Sequence, residues 1–225
     1  MSARLGALLL LFSAVMPPAS AAEAAYRLDP VHTRVLFAVE HAGFSKALGT
    51  VSGSTGQLRF DPDDWSTASL EVSVPLQHLD LGDGKWNQAV QAGKLLDTAR
   101  FPTATFVSTR IEPIDPEHAS VYGTLTLHGV SKEVKLDVTL NALKRHPLPP
   151  FRRTAGFSAT AMLSRADFGI DAWKSVIGDQ VELRLEVEAT RARKGDADDA
   201  PDIGADAETD ESDAEPTPTT EPTTP

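Results

Sequence analysis

Along most of the chain, apolar and polar positions alternate with a period of two. "VLFAVE" puts Val35, Phe37 and Val39 on one face, and "SLEVSVPL" does the same with Leu70, Val72, Val74 and Leu76. "KEVKLDVTL" sets Val134, Leu136, Val138 and Leu140 against Lys135, Asp137 and Thr139. "QVELRLEVEATR" sets Val181, Leu183, Leu185 and Val187 against Glu182, Arg184, Glu186 and Glu188. Such alternation marks half-buried antiparallel strands with one dry face and one wet face. Further strands are expected at "ALGTVSGSTGQLRF", "TATFVSTRIEPI", "ASVYGTLTLHG" and "RTAGFSATAML", which makes eight.

The connections favour consecutive hairpins. "HGVSK" at 128–132 joins two alternating runs, with Gly129 free to take positive φ. Gly49, Gly53 and Gly56 punctuate one run, as expected where a strand bends or bulges. Two interruptions read as helical. One is "GKWNQAVQAGKLLD" at 84–97, with Trp86, Val90 and Leu95 as an irregular apolar face; the other is a shorter turn within "SRADFGIDAWKSVIG" at 164–178. Eight strands with one apolar face each suggest a closed barrel or a two-sheet sandwich, and closure removes exposed edges. A barrel of this size is either just filled by side chains or just able to hold one small ligand, and periodicity does not separate the two.

The ends differ from the middle. "MSARLGALLLLFSAVMPPASAA" has the parts of a secretory signal: Arg4, an apolar run from Leu5 to Met16, and small residues at 19–21. Residues 1–21 are therefore read as a signal peptide, 22–194 as one barrel domain, and 195–225 as a tail. The tail holds eleven acidic residues and no Lys or Arg, which accounts for the whole net charge of −11. Its single large aliphatic residue is Ile203, so it is expected to be a disordered acidic, Pro/Thr-rich segment. The domain itself is nearly neutral and carries no bulk signal for nucleic acid. The chain has no cysteine, which excludes disulfides, thiolate metal ligands and a lipoprotein acyl site.

Candidate chemistry is sparse. The six histidines, His32, His41, His78, His118, His128 and His146, show no metal-binding spacing. His32 and His41 are nine apart and fall on opposite faces of one strand, so a joint site needs a bulge or a strand end. His128 sits at a Gly turn, where bonding backbone groups is its ordinary use. There is no G-x-S-x-G, P-loop or dinucleotide fingerprint. In "LSRADFGID", Arg165 and Asp167 read either as an ion pair pinning a turn or as an Arg at a barrel mouth that holds an anionic or carbonyl head group.

Six segments in order resemble the YceI-like family of lipid/polyisoprenoid-binding periplasmic barrels. They are "YRLDPVHTRVLFAVEH", "GQLRFDPDD", "FPTATFVST", "GTLTLHGVSKEVKLDV", "GFSATAMLSRADFGI" and "GDQVELRLEVEA". The resemblance implies an all-β, extended eight-stranded antiparallel barrel of lipocalin-like architecture with one or two short helices. It implies an isoprenoid chain, of polyprenyl or quinone type, held in an apolar channel, and it does not imply catalysis; no metal and no cofactor are expected. The ligand-lining residues are then Phe37, Val39, Leu70, Val72, Val74, Phe106, Leu125, Leu127, Leu136, Val138, Phe157, Phe168, Trp173, Leu183 and Leu185, with Arg165. The chain departs from the family before the short helix, where many relatives carry Arg-Asp-Leu and this sequence reads "LGDGKWNQAV".

Three functions compete at this point. The first is a periplasmic carrier or sequestering protein for an isoprenoid lipid, neither integral to the membrane nor bound to nucleic acid. The second is a filled barrel serving as a structural or interaction module, with a partner on its rim or acidic tail. The third is an enzyme in which His32, His41 and Arg165 converge. Whether two barrels pair as a homodimer stays open.

Overall fold

The computed structural model describes residues 24–193. The expected signal segment and tail lie outside the described residues. Eleven strands are found: β1 Ala24–Leu28, β2 Arg34–His41, β3 Ser45–Ser52, β4 Thr55–Phe60, β5 Ser69–Pro75, β6 Leu79–Asp80, β7 Thr103–Pro113, β8 His118–Leu127, β9 Val130–Arg145, β10 Arg153–Ser164 and β11 Ile177–Arg191. All their pairings are antiparallel.

The hydrogen-bonded order is β1-β4-β5-β7-β8-β9-β10-β11-β2-β3-β6, and β1 pairs again with β11 to close the wall. β11 takes β2 along its first part and β1 at its last residues. β1 and β2 are thus two pieces of one stave, and β3 and β4 are two pieces of the next. Counted this way the fold is a closed, eight-stranded antiparallel barrel. The long run at 47–60 expected as one strand is broken. β1 is too short to show periodicity, and β6 has only two residues.

The breaks have local causes. Gly53 adopts φ +81, and a Cβ there would lie 2.7 Å from His78 Nδ1. Between β1 and β2, Asp29 Oδ1 accepts from the N–H of Val31 at 2.8 Å, and the Asp29 carbonyl accepts from the Thr33 N–H at 2.9 Å. Pro30 between them has no N–H to give to a ladder. Each break shifts the inward series by one: Tyr26 and Leu28 give way to Val35, Phe37 and Val39, and Ala47 and Val51 give way to Leu58 and Phe60.

The turn from β8 to β9 has positive φ at both His128 (53) and Gly129 (74), as a two-residue type I′ hairpin requires. The helix α1, Gly84–Gln91, is shorter than expected. Asp83 caps it by accepting from the N–H groups of Lys85 and Trp86. The chain leaves helical geometry at Ala92, one residue before Gly93. The second helical expectation is met only by a 3₁₀ turn, Arg165–Phe168, stopped at Gly169 with φ 71. Among the described residues no helix is long and apolar enough to cross a membrane.

One end of the barrel is packed solid. Phe60, Trp65 and Phe157 meet edge to face, with ring centroids 5.0 to 6.2 Å apart. Tyr26, Leu28, Leu58, Ala119, Ala155 and Ala189 complete this cluster, with Val138 and Leu140 against it. The small alanines let the staves approach while the rings fill the space between them.

Candidate functional site: an apolar cavity in the hollow end

Beyond the aromatic plug a second cluster, which includes Leu95, Phe106, Val134, Leu136, Leu163, Phe168 and Ile170, packs along one side of the barrel, and the inward side chains no longer fill the whole interior. They enclose a cavity of about 480 Å³, within the usual size range of small-molecule sites. Its walls are the inward series of seven staves: Val35, Phe37 and Val39; Ala47 and Val51; Leu70, Val72 and Val74; Ala104 and Phe106; Leu125 and Leu127; Val134 and Leu136; Val181, Leu183, Leu185 and Val187. Leu163 of β10 joins them. A barrel filled from end to end is therefore not what is found.

The mouth is roofed by irregular segments. α1 contributes Trp86, Ala89 and Val90, followed by Leu95 and Leu96; the stretch after β10 contributes Phe168, Ile170, Trp173 and Val176. No residue of α1 is buried. Trp86 is 44% exposed and Trp173 51%, and Phe44, at the tip of the β2–β3 hairpin, is 92% exposed. The Trp86 ring lies 5.5 Å from that of His41.

Polar side chains brace this end. Arg165 is buried, and its guanidinium donates to three backbone carbonyls: Nε to Gly178 at 2.8 Å, Nη1 to Ile170 at 2.7 Å and Nη2 to Ile177 at 2.8 Å. Asp179 takes the Ala166 N–H at 3.0 Å. Hydrogen bonds from Ser164 and Ala166, with the Arg165 charge adding to them, hold the Asp179 carboxyl below its ordinary value. His128 Nδ1 lies 3.1 Å from the Phe168 carbonyl, and its ring packs on Phe101. His128 is thus a structural corner. Arg165 pins a turn, but through carbonyls rather than through the exposed Asp167.

The expected lining residues divide cleanly. Phe37, Val39, Leu70, Val72, Val74, Phe106, Leu125, Leu127, Leu136, Phe168, Trp173, Leu183, Leu185 and Arg165 all border the cavity. Phe157 and Val138 do not: Phe157 belongs to the plug, and Val138 packs between the plug and the cluster that holds Phe106 and Leu136. They share the inward face with the lining residues, and strand parity carries no information about depth along the barrel. Val35, Val134, Val181 and Val187 were available from that parity. Of the roof, Phe168 and Trp173 were expected and Trp86, Val90 and Leu95 were read as an apolar face, whereas Leu96, Ile170 and Val176 were not, because no period marks them.

Polar groups on the cavity are few: Thr33, Arg34, Glu40, His41, Ser54 and Arg165. His41 and Arg165 border it, whereas His32 lies at the far end of β2 on the outer face. The seven β2 residues between the two histidines, 34–40, span roughly 23 Å. His32, His41 and Arg165 therefore do not converge on one site. Asp29, His32 and Glu188 do bring one ligand atom each within 4.8 Å of one another. They sit outside the cavity, at the β1–β2 corner, where His32 Nδ1 is already 2.8 Å from Asp29 Oδ2.

The model of the YceI-like domain matches residues 26–189. A UPF0312 protein of Pseudomonas paraeruginosa is 31% identical over 187 residues, spanning 82% of this chain and 96% of its own length. Among solved structures, BcnA of Burkholderia cenocepacia superposes with a TM-score of 0.65 at 25% identity, covering 72% of this chain and 99% of its own. A polyisoprenoid binding domain from Saccharophagus degradans, implicated in plant cell wall breakdown, superposes with a TM-score of 0.59 over 75% of this chain and 99% of its own. At 15% identity that likeness is one of fold.

Proposed function

The chain belongs to the YceI-like family, and on that premise we propose that it is a periplasmic protein that sequesters or carries an isoprenoid lipid in the hollow half of its barrel. The observation that carries the reading is the aliphatic cavity of about 480 Å³, walled by inward strand faces and closed below by an aromatic plug. Each CH₂ moved from water into such a space contributes roughly 0.8 kcal/mol, so a few isoprene units supply ample gross driving force. Chain ordering and lost translation offset part of it. The polyisoprenoid binding described for the Saccharophagus domain agrees with this class of ligand. The apolar run at residues 5–16 supports export, and the periplasm is the compartment proposed for the mature protein.

The role is binding rather than catalysis. A general base or nucleophile needs a partner within hydrogen-bond reach in the same site; on this cavity Arg165 is taken up by three backbone carbonyls, and His41 meets the ring of Trp86. Native mass spectrometry of protein released gently from the periplasm tests the proposal. The expected spectrum contains a protein–lipid adduct that solvent extraction removes. Empty protein, with no uptake of added polyprenol or quinone after delipidation, would refute it.

A further inference from the structure

The deepest point of the cavity is not wholly apolar. Ser54 and Thr33 both border it and are 0% and 2% exposed. Each stands at a broken stave. Thr33 continues the inward series of Val35, Phe37 and Val39, and Ser54 continues that of Leu58 and Phe60. The pairs Arg34↔Ser52 and Arg27↔Gln57 flank the two breaks, so the breaks lie side by side in the wall.

The Ser54 hydroxyl has no hydrogen-bond partner. Thr33 Oγ1 has only a long contact, 3.4 Å, to the Glu188 carbonyl. A buried polar atom without a partner is costly, and most such atoms in proteins are satisfied by something. Both residues border the ligand cavity, so a polar group of its occupant is the candidate partner.

Resting on the lipid-binding reading, we infer that Ser54 and Thr33 form a neutral hydrogen-bonding subsite on the cavity floor that takes the hydroxyl or carbonyl group of a lipid entering polar end first. A serine hydroxyl both donates and accepts, so it suits an alcohol or a quinone-type carbonyl equally. It does not suit a phosphate ester. Arg34 is the nearest cation in sequence to either hydroxyl and also borders the cavity, but it is exposed and alternates with the inward Thr33, Val35 and Phe37. A charged group at the floor would be desolvated against two neutral hydroxyls while the nearest guanidinium keeps its exposure to solvent. The subsite therefore selects neutral polar isoprenoids over their phosphorylated forms.

The test uses the delipidated protein and three probes: farnesol, the hydrocarbon farnesene, and farnesyl phosphate. Displacement of a fluorescent lipid gives each affinity. Wild type is expected to bind farnesol about tenfold more tightly than farnesene, the value of one well-made buried hydrogen bond, and more tightly than the phosphate. Ser54→Ala should lose most of that preference by weakening farnesol alone, with farnesene unchanged. Its melting temperature without ligand should hold or rise, because an unpaired hydroxyl has been removed. Thr33→Val should shift the preference in the same direction by a smaller factor, and it carries the comparison if Ser54→Ala fails to fold.

Equal affinity for farnesol and farnesene in wild type overturns the subsite and leaves the lipid-binding reading standing. So does an undiminished preference in Ser54→Ala, or a farnesol complex whose hydroxyl sits at the mouth. Failure of all three probes to bind overturns both.

Discussion

At one end of the barrel Phe60, Trp65 and Phe157 touch edge to face, and the alanines beside them are fully buried. At the other end Phe106, Leu125 and Leu183 face a common empty space. Both ends use the same alternating strands, and several staves run through both. They are held differently. The filled end is held by close packing. The hollow end packs only part of its interior, around Phe106, Leu136 and Phe168, and polar side chains brace its loops: Arg165 on three carbonyls, His128 on a fourth, and Asn87 on Asp80 and the Leu81 N–H. A cavity meant to be occupied needs walls that stand without their contents, and hydrogen bonds to backbone supply that where packing does not.

The largest expected effect is at the plug. Phe157→Ala should cost about 3–5 kcal/mol, because the space left between Phe60 and Trp65 has little room to collapse. Leu183→Ala, facing the cavity, should cost about 1 kcal/mol, since its side chain is only half-buried to begin with. Urea denaturation of delipidated protein reads both, and equal losses would break the contrast between the ends. Next in size is the brace. Arg165→Met keeps the apolar stem but removes three charge-assisted hydrogen bonds, and a loss of about 3 kcal/mol is expected. Hydrogen exchange should quicken at residues 169–178 and stay unchanged around Phe60. Arg165→Lys should recover only part of the loss, because an ammonium lacks the planar fork that reaches three carbonyls.

Overpacking sharpens the comparison further. Val138→Trp adds a ring where Val138 already packs against both core clusters, and should cost about 1–3 kcal/mol. Leu125→Trp puts the same ring into the cavity, where it finds room. Its melting temperature without lipid should change little, while lipid retained per barrel falls sharply. If Leu125→Trp destabilises as much as Val138→Trp, the hollow end is closer packed than its geometry indicates.

Much of this architecture was legible in the alternation of residues, and its limits are physical. The period of two assigned Phe37, Leu70, Leu136 and Leu183 to the inner face, because successive side chains on a strand point to opposite sides. The same period placed Val138 and Phe157 with them, since it reports side and not depth. Depth depends on which residues lie opposite across the barrel, as Trp65 lies against Phe157, and that is a tertiary fact. Part of the roof was hidden for another reason. Leu96, Ile170 and Val176 lie in short irregular segments whose positions come from caps and carbonyl contacts rather than from any repeat. Ser54 was hidden by the parity shift at Gly53, which turns an apparently ordinary turn residue inward.

The smallest expected effect concerns the corner that joins the two ends, where Asp29 and His32 clasp. Burial tends to raise the Asp29 carboxyl, but hydrogen bonds from the His32 ring and from the Val31 and His32 N–H groups outweigh it and hold the group below its ordinary 3.8. The hydrogen bond to Asp29, then the charges of Asp29 and Glu188, raise His32 above its ordinary 6.5. A depressed carboxyl contributes stability above its unfolded value and loses it as pH falls through the folded one. A raised imidazole contributes stability below its unfolded value and loses it as pH rises through the folded one. The clasp therefore helps most between the two, near about pH 5, and its help fades on the alkaline side once His32 loses its proton. Because His32 is exposed, solvent and salt screen the pair, and a shift of at most a few degrees is expected. Melting temperatures of wild type and His32→Gln should differ most near about pH 5 and converge toward pH of about 8, with the gap shrinking in high salt. A gap that widens with rising pH would show that His32 acts at this corner as a neutral hydrogen-bonding ring rather than as a cation.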